Sequence, residues 1–116
     1  MAEVCVQTVY VTDVRAAVDF YATALGCEVQ AWYDDCLVQL KSSGTTLIIQ
    51  QVEAGQAPCT VLAFQVDDLE QAMQSVVAAG GSLLTETPQP CPVGRYARFR
   101  TQQGALHELL EFSSAA

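Results

Sequence analysis

A chain of 116 residues suffices for one domain, within which it can bury roughly two thirds of its unfolded surface, and it leaves no room for a second fold. The formal charge of −8 argues against nucleic acid and anionic lipid surfaces as partners, because both repel a negatively charged protein. Hydrophobic residues make up 51% of the chain, yet no apolar run approaches the ~20 residues that cross a bilayer, so we expect a protein without a membrane span.

The first predicted module begins with a strand over Val4–Val11, where apolar and polar residues alternate. Asp13 is placed to cap a helix that runs to about Leu25 and ends at Gly26. The helix is expected to bury a stripe formed by Val14, Val18, Tyr21 and Leu25. Three short strands are predicted to follow, with turns at residues 33–34 and 42–44: Cys27–Trp32, Asp35–Lys41 and Thr45–Val52.

The second module is predicted because the sequence around the first helix start returns in diverged form 55 residues later. Under this offset Asp13 falls on Asp68 and Gly26 on Gly81, so the same cap and stop signals recur. A polar linker over Glu53–Pro58 separates the modules, which cover about residues 4–53 and 59–113 of a single domain, 1–116. The expected elements are the strand Thr60–Val66, the helix Leu69–Ala79, the strand Ser82–Thr85, a proline-rich loop over residues 88–92, the strands Tyr96–Arg100 and Ala105–Phe112, and a frayed tail from Ser113.

Two tandem βαβββ modules predict an α+β fold. The helices are too few for βαβ crossovers throughout, so the sheets are expected to be mixed and curved rather than parallel. With one helix on the outside of each sheet, the inner sides of the sheets are expected to enclose a cleft.

The cysteines indicate a compartment. They are five in number and include no Cys-x-x-Cys pair, which favours reduced thiols over a disulfide framework or a zinc knuckle. The first four residues carry neither the basic region nor the apolar stretch of a secretory signal. We therefore expect a cytoplasmic protein, in which Cys91, between two prolines on a loop, is the thiol most open to reaction.

Three sequence features together resemble the vicinal oxygen chelate superfamily, which includes glyoxalase I, extradiol dioxygenases, fosfomycin-modifying enzymes and bleomycin-resistance proteins. A Val-x-Asp-Val/Leu segment precedes each helix, at residues 11–14 and 66–69. Phe20-Tyr21-x-x-x-Leu25-Gly26 closes the first helix, and Gly104-x-x-x-Glu108-Leu109 lies in the last strand. The resemblance covers about residues 4–112 and implies the same paired-module fold, commonly as a homodimer, but it leaves the function undecided because this scaffold hosts both enzymes and binding proteins.

The resemblance also implies where a metal would bind. Carried over onto this sequence, the four ligand positions of the metalloenzymes fall on Val6, Val61, Glu108 and a position near Ile48. Valine and isoleucine offer no lone pairs to a divalent ion, and His107 is expected to point away from Glu108 because neighbours on a strand face opposite sides. We therefore predict that the protein holds no metal and no other cofactor, and that it has no catalytic residue.

The alternation of each strand predicts the lining of the cleft. Its floor is expected to be apolar, with a few aromatic and polar groups of the kind found in small-molecule pockets. The aromatic side chains are candidates to stack on a flat ligand, and Glu108 is a candidate partner for a positive charge on it. The candidate ligand-binding residues are Tyr10, Trp32, Tyr96, Arg98, Glu108, Gln65, Val6 and Val61.

Each of these residues also has a purely structural interpretation. Trp32 would equally fit a module or dimer interface, Tyr10 and Tyr96 would fit ordinary barrel lining, and Arg98 would pair with Glu108 in a buried salt bridge that needs no ligand. In the last case the preference for a cationic ligand weakens.

The sequence thus favours a metal-free small-molecule binding protein of the glyoxalase and bleomycin-resistance type, acting in antibiotic resistance by sequestering an apolar or cationic aromatic compound. One alternative is a metal-dependent lyase or dioxygenase, which would require the strand register to slip by one residue so that Cys5 and Gln7 face inward. A second alternative is an accessory or interaction subunit without a ligand. The expected partners are a small hydrophobic or cationic aromatic molecule and a second copy of the chain.

Overall fold

The strands and helices follow one another in the order that the repeat predicts. We describe residues 2–113 from a computed structural model. The elements are β1 (Glu3–Val11), α1 (Val14–Leu25), β2 (Val29–Asp34), β3 (Leu37–Leu40), β4 (Thr46–Gln51), β5 (Cys59–Gln65), α2 (Leu69–Ala78), β6 (Ser82–Leu83), β7 (Gln89–Cys91), β8 (Gly94–Arg100) and β9 (Leu106–Phe112).

Contacts divide the chain into two compact units. The first unit is Val6–Val61, and the second combines residues 2–5 with residues 62–113. In the first unit the strand order is β2-β3-β4-β1, with β1 parallel to β4 and the other pairs antiparallel. In the second unit the order is β6-β8-β9-β5, with β5 parallel to β9 and the short β7 also paired to β8. Both sheets are mixed and each unit carries one helix, which confirms the predicted α+β class.

The two helices begin in the same way, as the repeat predicts. The carboxylate of Asp13 accepts a hydrogen bond from the backbone N–H of Ala16 at 3.0 Å, and that of Asp68 accepts one from Gln71 at 3.1 Å. Each aspartate satisfies one of the amide groups that a helix start leaves without an intrahelical partner. Both helix starts are therefore fixed by local chemistry that can be read from the sequence.

In the first unit, α1 packs on one face of its sheet around Val14, Val38, Leu40 and Ile49, which are all buried. The predicted stripe is correct for its first three members, but Leu25 is 70% exposed. Leu25 is the last helical residue before Gly26, which adopts a φ of 70° and ends the helix there. The last turn therefore leaves Leu25 off the sheet.

In the second unit, α2 packs on its sheet around Leu69, Met73, Ala97, Phe99 and Leu109. The start of α2 is also tied to β9, because the Glu111 carboxylate accepts a hydrogen bond from the backbone N–H of Leu69 at 2.9 Å. That backbone hydrogen bond, reinforced by Arg95, lowers the pKa of Glu111 below its ordinary value.

Two local predictions were wrong. The first hairpin turn lies at residues 35–36 rather than 33–34, since the Asp34 side chain accepts a hydrogen bond from Cys36 N at 2.7 Å and forms the turn itself. The proline-rich segment is not a loop throughout, because Gln89–Cys91 pairs with β8 as β7. Pro90 is tolerated there because β7 is an edge strand, where a missing N–H costs no ladder hydrogen bond.

Neither α1 nor α2, the helices found among residues 2–113, has the length and apolar character needed to cross a membrane. Of the predicted tail, Ser113 is hydrogen bonded through its backbone N–H to Val93 O at 2.9 Å. Residues 114–116 lie outside the described residues.

Candidate functional site

Each sheet has one face covered by its helix, and we call the other side the helix-free face. In the first unit Val9 and Val11 pack toward α1, so alternation places Val6, Thr8 and Tyr10 on the helix-free face. Thr8 and Tyr10 are buried there. This is the parity that the sequence predicts for β1.

The strand β4 completes that face. Because β1 and β4 run parallel with Thr8 opposite Ile48, the helix-free face also carries Thr46, Ile48 and Gln50. Sequence reasoning identified Ile48 but missed the polar residues Thr46 and Gln50. The alternation of side chains along β4 would have placed both on the same face as Ile48.

Trp32 lies on the opposite face from Tyr10. Its strand partner is Val38, a core residue beneath α1, and the Arg15 guanidinium of α1 sits 4.9 Å from the Trp32 ring centre. The prediction that Trp32 shares the cleft face was therefore wrong. Register shifts between Val29 and Ala31 and between Trp32 and Asp34 break the alternation that this prediction assumed.

The aromatic residue that β2 does present on the helix-free face is Tyr33. Ala31 pairs with Gln39, and the Tyr33 hydroxyl donates a hydrogen bond to Oε1 of the same Gln39 at 2.7 Å. Sequence reasoning placed Tyr33 in a turn and missed it. The side on which Tyr33 lies depends on a bulge in β2, so strand alternation alone does not predict it.

In the second unit the helix-free face is built from three neighbouring strands. Ala63 lies opposite Glu108, and Glu108 lies opposite Arg98; one step along, Gln65, Leu110 and Tyr96 are aligned in the same way. Val61, two residues before Ala63 on β5, is the last residue of the first unit and is 1% exposed. The structure thus brings Tyr96, Arg98 and Glu108 together, as predicted.

Arg98 and Glu108 form an ion pair at the centre of this face. The Arg98 Nε donates a hydrogen bond to Glu108 Oε2 at 2.9 Å, and the two side chains are only 17% and 11% exposed. The Arg98 guanidinium also lies 5.6 Å from the Tyr96 ring centre. This geometry is the salt bridge that the sequence analysis left open as an alternative.

His107 faces the other way. It packs between Phe64 and Phe99, with ring centroids 5.5 and 5.7 Å away, and its buried Nδ1 has no hydrogen-bond partner among residues 2–113. Phe64 and Phe99 belong to the core beneath α2. His107 therefore does not share a face with Glu108.

These positions decide whether a metal fits. Val6, Val61 and Ile48, which stand where the resemblance implies ligands, have no donor atom. The remaining carboxylate, Glu108, is already hydrogen bonded to a cation of the chain itself. Of the four positions that the resemblance implies, Glu108 is therefore the one with a side-chain donor atom for a divalent ion.

A second acidic group lies at the start of α2, where the side chains of Asp68, Glu70 and Glu111 come close enough to hold an ion. Each member already has a structural partner. Asp68 caps the helix, while Arg95 contacts both Glu70 and Glu111 at 2.7 Å. The cluster is therefore accounted for by helix capping and ion pairing.

Gln65 lies at the end of β5 and is exposed. It lines a groove beside α2. Tyr96, Arg98 and Glu108 are not among the residues that line this groove. The other lining residues of this groove are Ala2, Glu3, Val66, Asp67, Asp68, Gln71, Ala72 and Ser75.

Comparison with known proteins gives one family match. The profile of the glyoxalase-like domain matches residues 3–104, and it stops just before β9, the strand that carries Glu108. No curated protein matches the chain.

Solved structures share the fold at low sequence identity. A hypothetical protein of Bacillus halodurans C-125 is 16% identical with a TM-score of 0.79, covering 99% of this chain and 97% of its own. A glyoxalase/bleomycin resistance protein/dioxygenase superfamily member of Vibrio splendidus 12B01 is 19% identical with a TM-score of 0.69, covering 97% and 100%. Methylmalonyl-CoA epimerase of Mycobacterium tuberculosis is 21% identical with a TM-score of 0.66, covering 95% and 87%.

Proposed function

We propose, from the premise that the chain belongs to the family of glyoxalase-like domains, that it is a metal-free small-molecule binding protein. It sequesters an apolar or aromatic compound on the helix-free face of the second unit and carries out no reaction on it. The contacts come from Tyr96, with the Arg98–Glu108 pair as the polar centre. The helix-free face of the first unit, with Val6 and Tyr10, is a separate candidate surface, and Val61 is the last residue of that unit. The wider fold agrees with the vicinal oxygen chelate superfamily that the sequence motifs resemble.

The observation that carries this proposal is the 2.9 Å contact between Arg98 Nε and Glu108 Oε2. The Arg98 guanidinium already balances the negative charge of Glu108, so this carboxylate attracts a divalent ion less than an isolated one would. Lewis-acid chemistry at this position would therefore need further ligands, which the aliphatic residues at the other implied positions do not supply.

The composition of the faces supports an aromatic or apolar ligand. In the second unit Ala63 and Leu110 are buried aliphatic residues, and Tyr96 adds an aromatic ring opposite Leu110. Apolar surface with a few placed polar groups is typical of small-molecule sites, and aromatic rings bind flat ligands by stacking.

A role in antibiotic resistance is part of the same proposal. One structural relative, from Vibrio splendidus, is described as a member of the superfamily that includes bleomycin resistance proteins. A protein that sequesters a drug needs a binding surface and no catalytic group. Flat aromatic antibiotics are therefore the first compounds to test.

The binding test is a thermal-shift screen against aromatic and apolar compounds, with hits measured by calorimetry. We expect at least one class of compound to raise the melting temperature of the wild type, since a ligand that binds only the folded state stabilises it. Tyr96→Ala should weaken binding of the hit, while Phe20→Ala, which removes an aromatic ring 63% exposed on α1, should leave it unchanged. A complete absence of hits would favour the ligand-free accessory role.

The metal test is elemental analysis of gently purified protein, followed by titration with zinc, nickel, iron and manganese salts. We expect substoichiometric metal in both cases. One equivalent of tightly bound ion that is lost in Glu108→Gln would overturn the proposal and favour a metal-dependent lyase or dioxygenase. The expected homodimer is checked on the same sample by light scattering.

A further inference from the structure

We propose that the Arg98–Glu108 pair makes the helix-free face of the second unit discriminate against aromatic cations and favour neutral aromatic compounds. This inference rests on the proposed function and narrows it, because a free Glu108 would instead favour a cation. Arg98 thereby acts as a specificity-determining residue.

Arg98 balances the charge of Glu108. Its carboxylate lies in register with Arg98 on the neighbouring strand and accepts the Arg98 Nε hydrogen bond at 2.9 Å. The guanidinium is permanently charged, so the pair is neutral as a whole at ordinary pH. A cationic ligand would lose its hydration at this site without gaining an unpaired negative charge in return.

The aromatic ring on this face already has a cation beside it. Rings attract cations through their quadrupole, and Tyr96 is the aromatic residue of β8 on the helix-free face. The Arg98 guanidinium lies 5.6 Å from that ring centre. Arg98 therefore contacts both the carboxylate and the ring of the second unit that would otherwise attract a cation, and its positive charge repels one that approaches the ring.

Arg100 is the other charged residue of β8 on the same face. By register it shares the face with Arg98, but it is exposed and its Nη1 donates a hydrogen bond to Gly104 O at 2.9 Å. Its positive charge adds no attraction for a cation, and its exposure to water screens its effect on charged ligands of either sign.

The test compares two probes of nearly the same shape, neutral 1-methylnaphthalene and cationic N-methylquinolinium. The wild type should bind the neutral probe about tenfold more tightly, and Arg98→Met should raise the relative affinity for the cation by about tenfold or more. Arg95→Met is the matched control. It removes one positive charge and two carboxylate contacts from the same strand, but on the face toward α2, so the preference of the wild type should persist.

The double variant Arg98→Met, Glu108→Leu guards against a folding artefact, because it leaves no unpaired charge. It should keep the preference for the neutral probe, and circular dichroism should show a folded chain for every variant compared. If wild type prefers the cation, or if Arg98→Met leaves the preference unchanged, the charge inference is overturned while the binding function stands. If neither these probes nor any compound of the wider screen binds any variant, the proposed function fails and this inference fails with it.

Discussion

The guanidinium of Arg15 lies 4.9 Å from the centre of the Trp32 ring, so the single tryptophan of this chain is engaged by α1. Arg15 also reaches the Asp35 carboxylate at 3.8 Å. Trp32 is 40% exposed and pairs with Val38 on the helix side of its sheet. Its fluorescence therefore reports on the packing of α1 rather than on the helix-free face.

The first prediction follows from that contact. Arg15→Met should shift the emission of Trp32 and lower the free energy of unfolding by only about 0.5 kcal/mol, because the cation–π contact is largely exposed to solvent. Fluorescence spectra and urea unfolding curves measure both effects. Arg100→Met, remote in sequence and in the other unit, serves as the control and should leave the spectrum unchanged. An unchanged spectrum in Arg15→Met would contradict the placement of Trp32.

Much of the fold could be predicted from sequence because its signals are local. An aspartate cap and an amphipathic run define each helix, and alternation defines β1, β5 and β9. The predictions were wrong where a bulge breaks the local alternation, or where pairing with a distant strand determines whether a segment forms a strand. The bulges in β2 moved Trp32 to the helix side, and pairing with β8 turned a proline-rich segment into β7.

In the candidate site, too, the local features could be predicted and the tertiary ones could not. Residues on regular strands, such as Tyr96, Arg98 and Glu108, lie on the predicted face because a period of two fixes their side. Whether Arg98 pairs with Glu108 could not be predicted. That depends on the register of β8 against β9, which the sequence motif does not specify.

The second prediction concerns the Arg98–Glu108 pair as a structural unit. Arg98→Met alone and Glu108→Leu alone should each destabilise the protein by about 2–4 kcal/mol, because each leaves a largely buried charge without its partner. The double variant should recover most of that loss. Denaturant unfolding of the four proteins in a double-mutant cycle measures the coupling. Additive losses would show that the two side chains do not support each other.

The third prediction is a pH dependence at Glu111. The hydrogen bond from Leu69 N, and then Arg95, lower the pKa of this carboxyl below its ordinary value of 4.5, so the ionised form stabilises the folded state. That stabilisation is fully present above about pH 4.5 and is lost as the pH falls through the lower pKa of the folded state. Glu111→Gln should cost about 1 kcal/mol at pH 7, a value that allows for partial exposure of Arg95.

Unfolding curves of wild type and Glu111→Gln between pH 3 and pH 7 measure this difference. The gap between them should narrow below pH 4.5. Glu70→Gln is the control, since Glu70 contacts only the exposed side of Arg95 and should change stability by a few tenths of a kcal/mol. A constant gap across the pH range would mean that Glu111 acts through shape rather than charge.

The fourth prediction separates two glycines. A Cβ at Gly94 would lie 2.0 Å from Glu111 O, a backbone atom of the paired strand that cannot move aside alone. Gly94→Ala should therefore cost at least about 2 kcal/mol. Gly26, which ends α1 with a φ of 70°, has open space around it, so Gly26→Ala should cost about 1 kcal/mol from backbone strain alone. Thermal unfolding of both variants should rank them in that order, and the reverse order would contradict the close approach of β8 and β9.

The last prediction concerns the reactivity of the five free cysteines. Burial raises the pKa of the Cys5 thiol, whose Sγ lies 3.6 Å from Ala63 O, so little reactive thiolate forms there at neutral pH. Cys36 and Cys59 are exposed, whereas Cys91, expected from the sequence to be the most open to reaction, is half-buried in β7. Limited labelling with N-ethylmaleimide at pH 7.5, mapped by mass spectrometry, should modify Cys36 and Cys59 first and Cys5 last. Labelling in denaturant, where all five thiols should react at similar rates, is the control. Early modification of Cys5 in the folded protein would show that its thiol is far more accessible than its half-buried position implies.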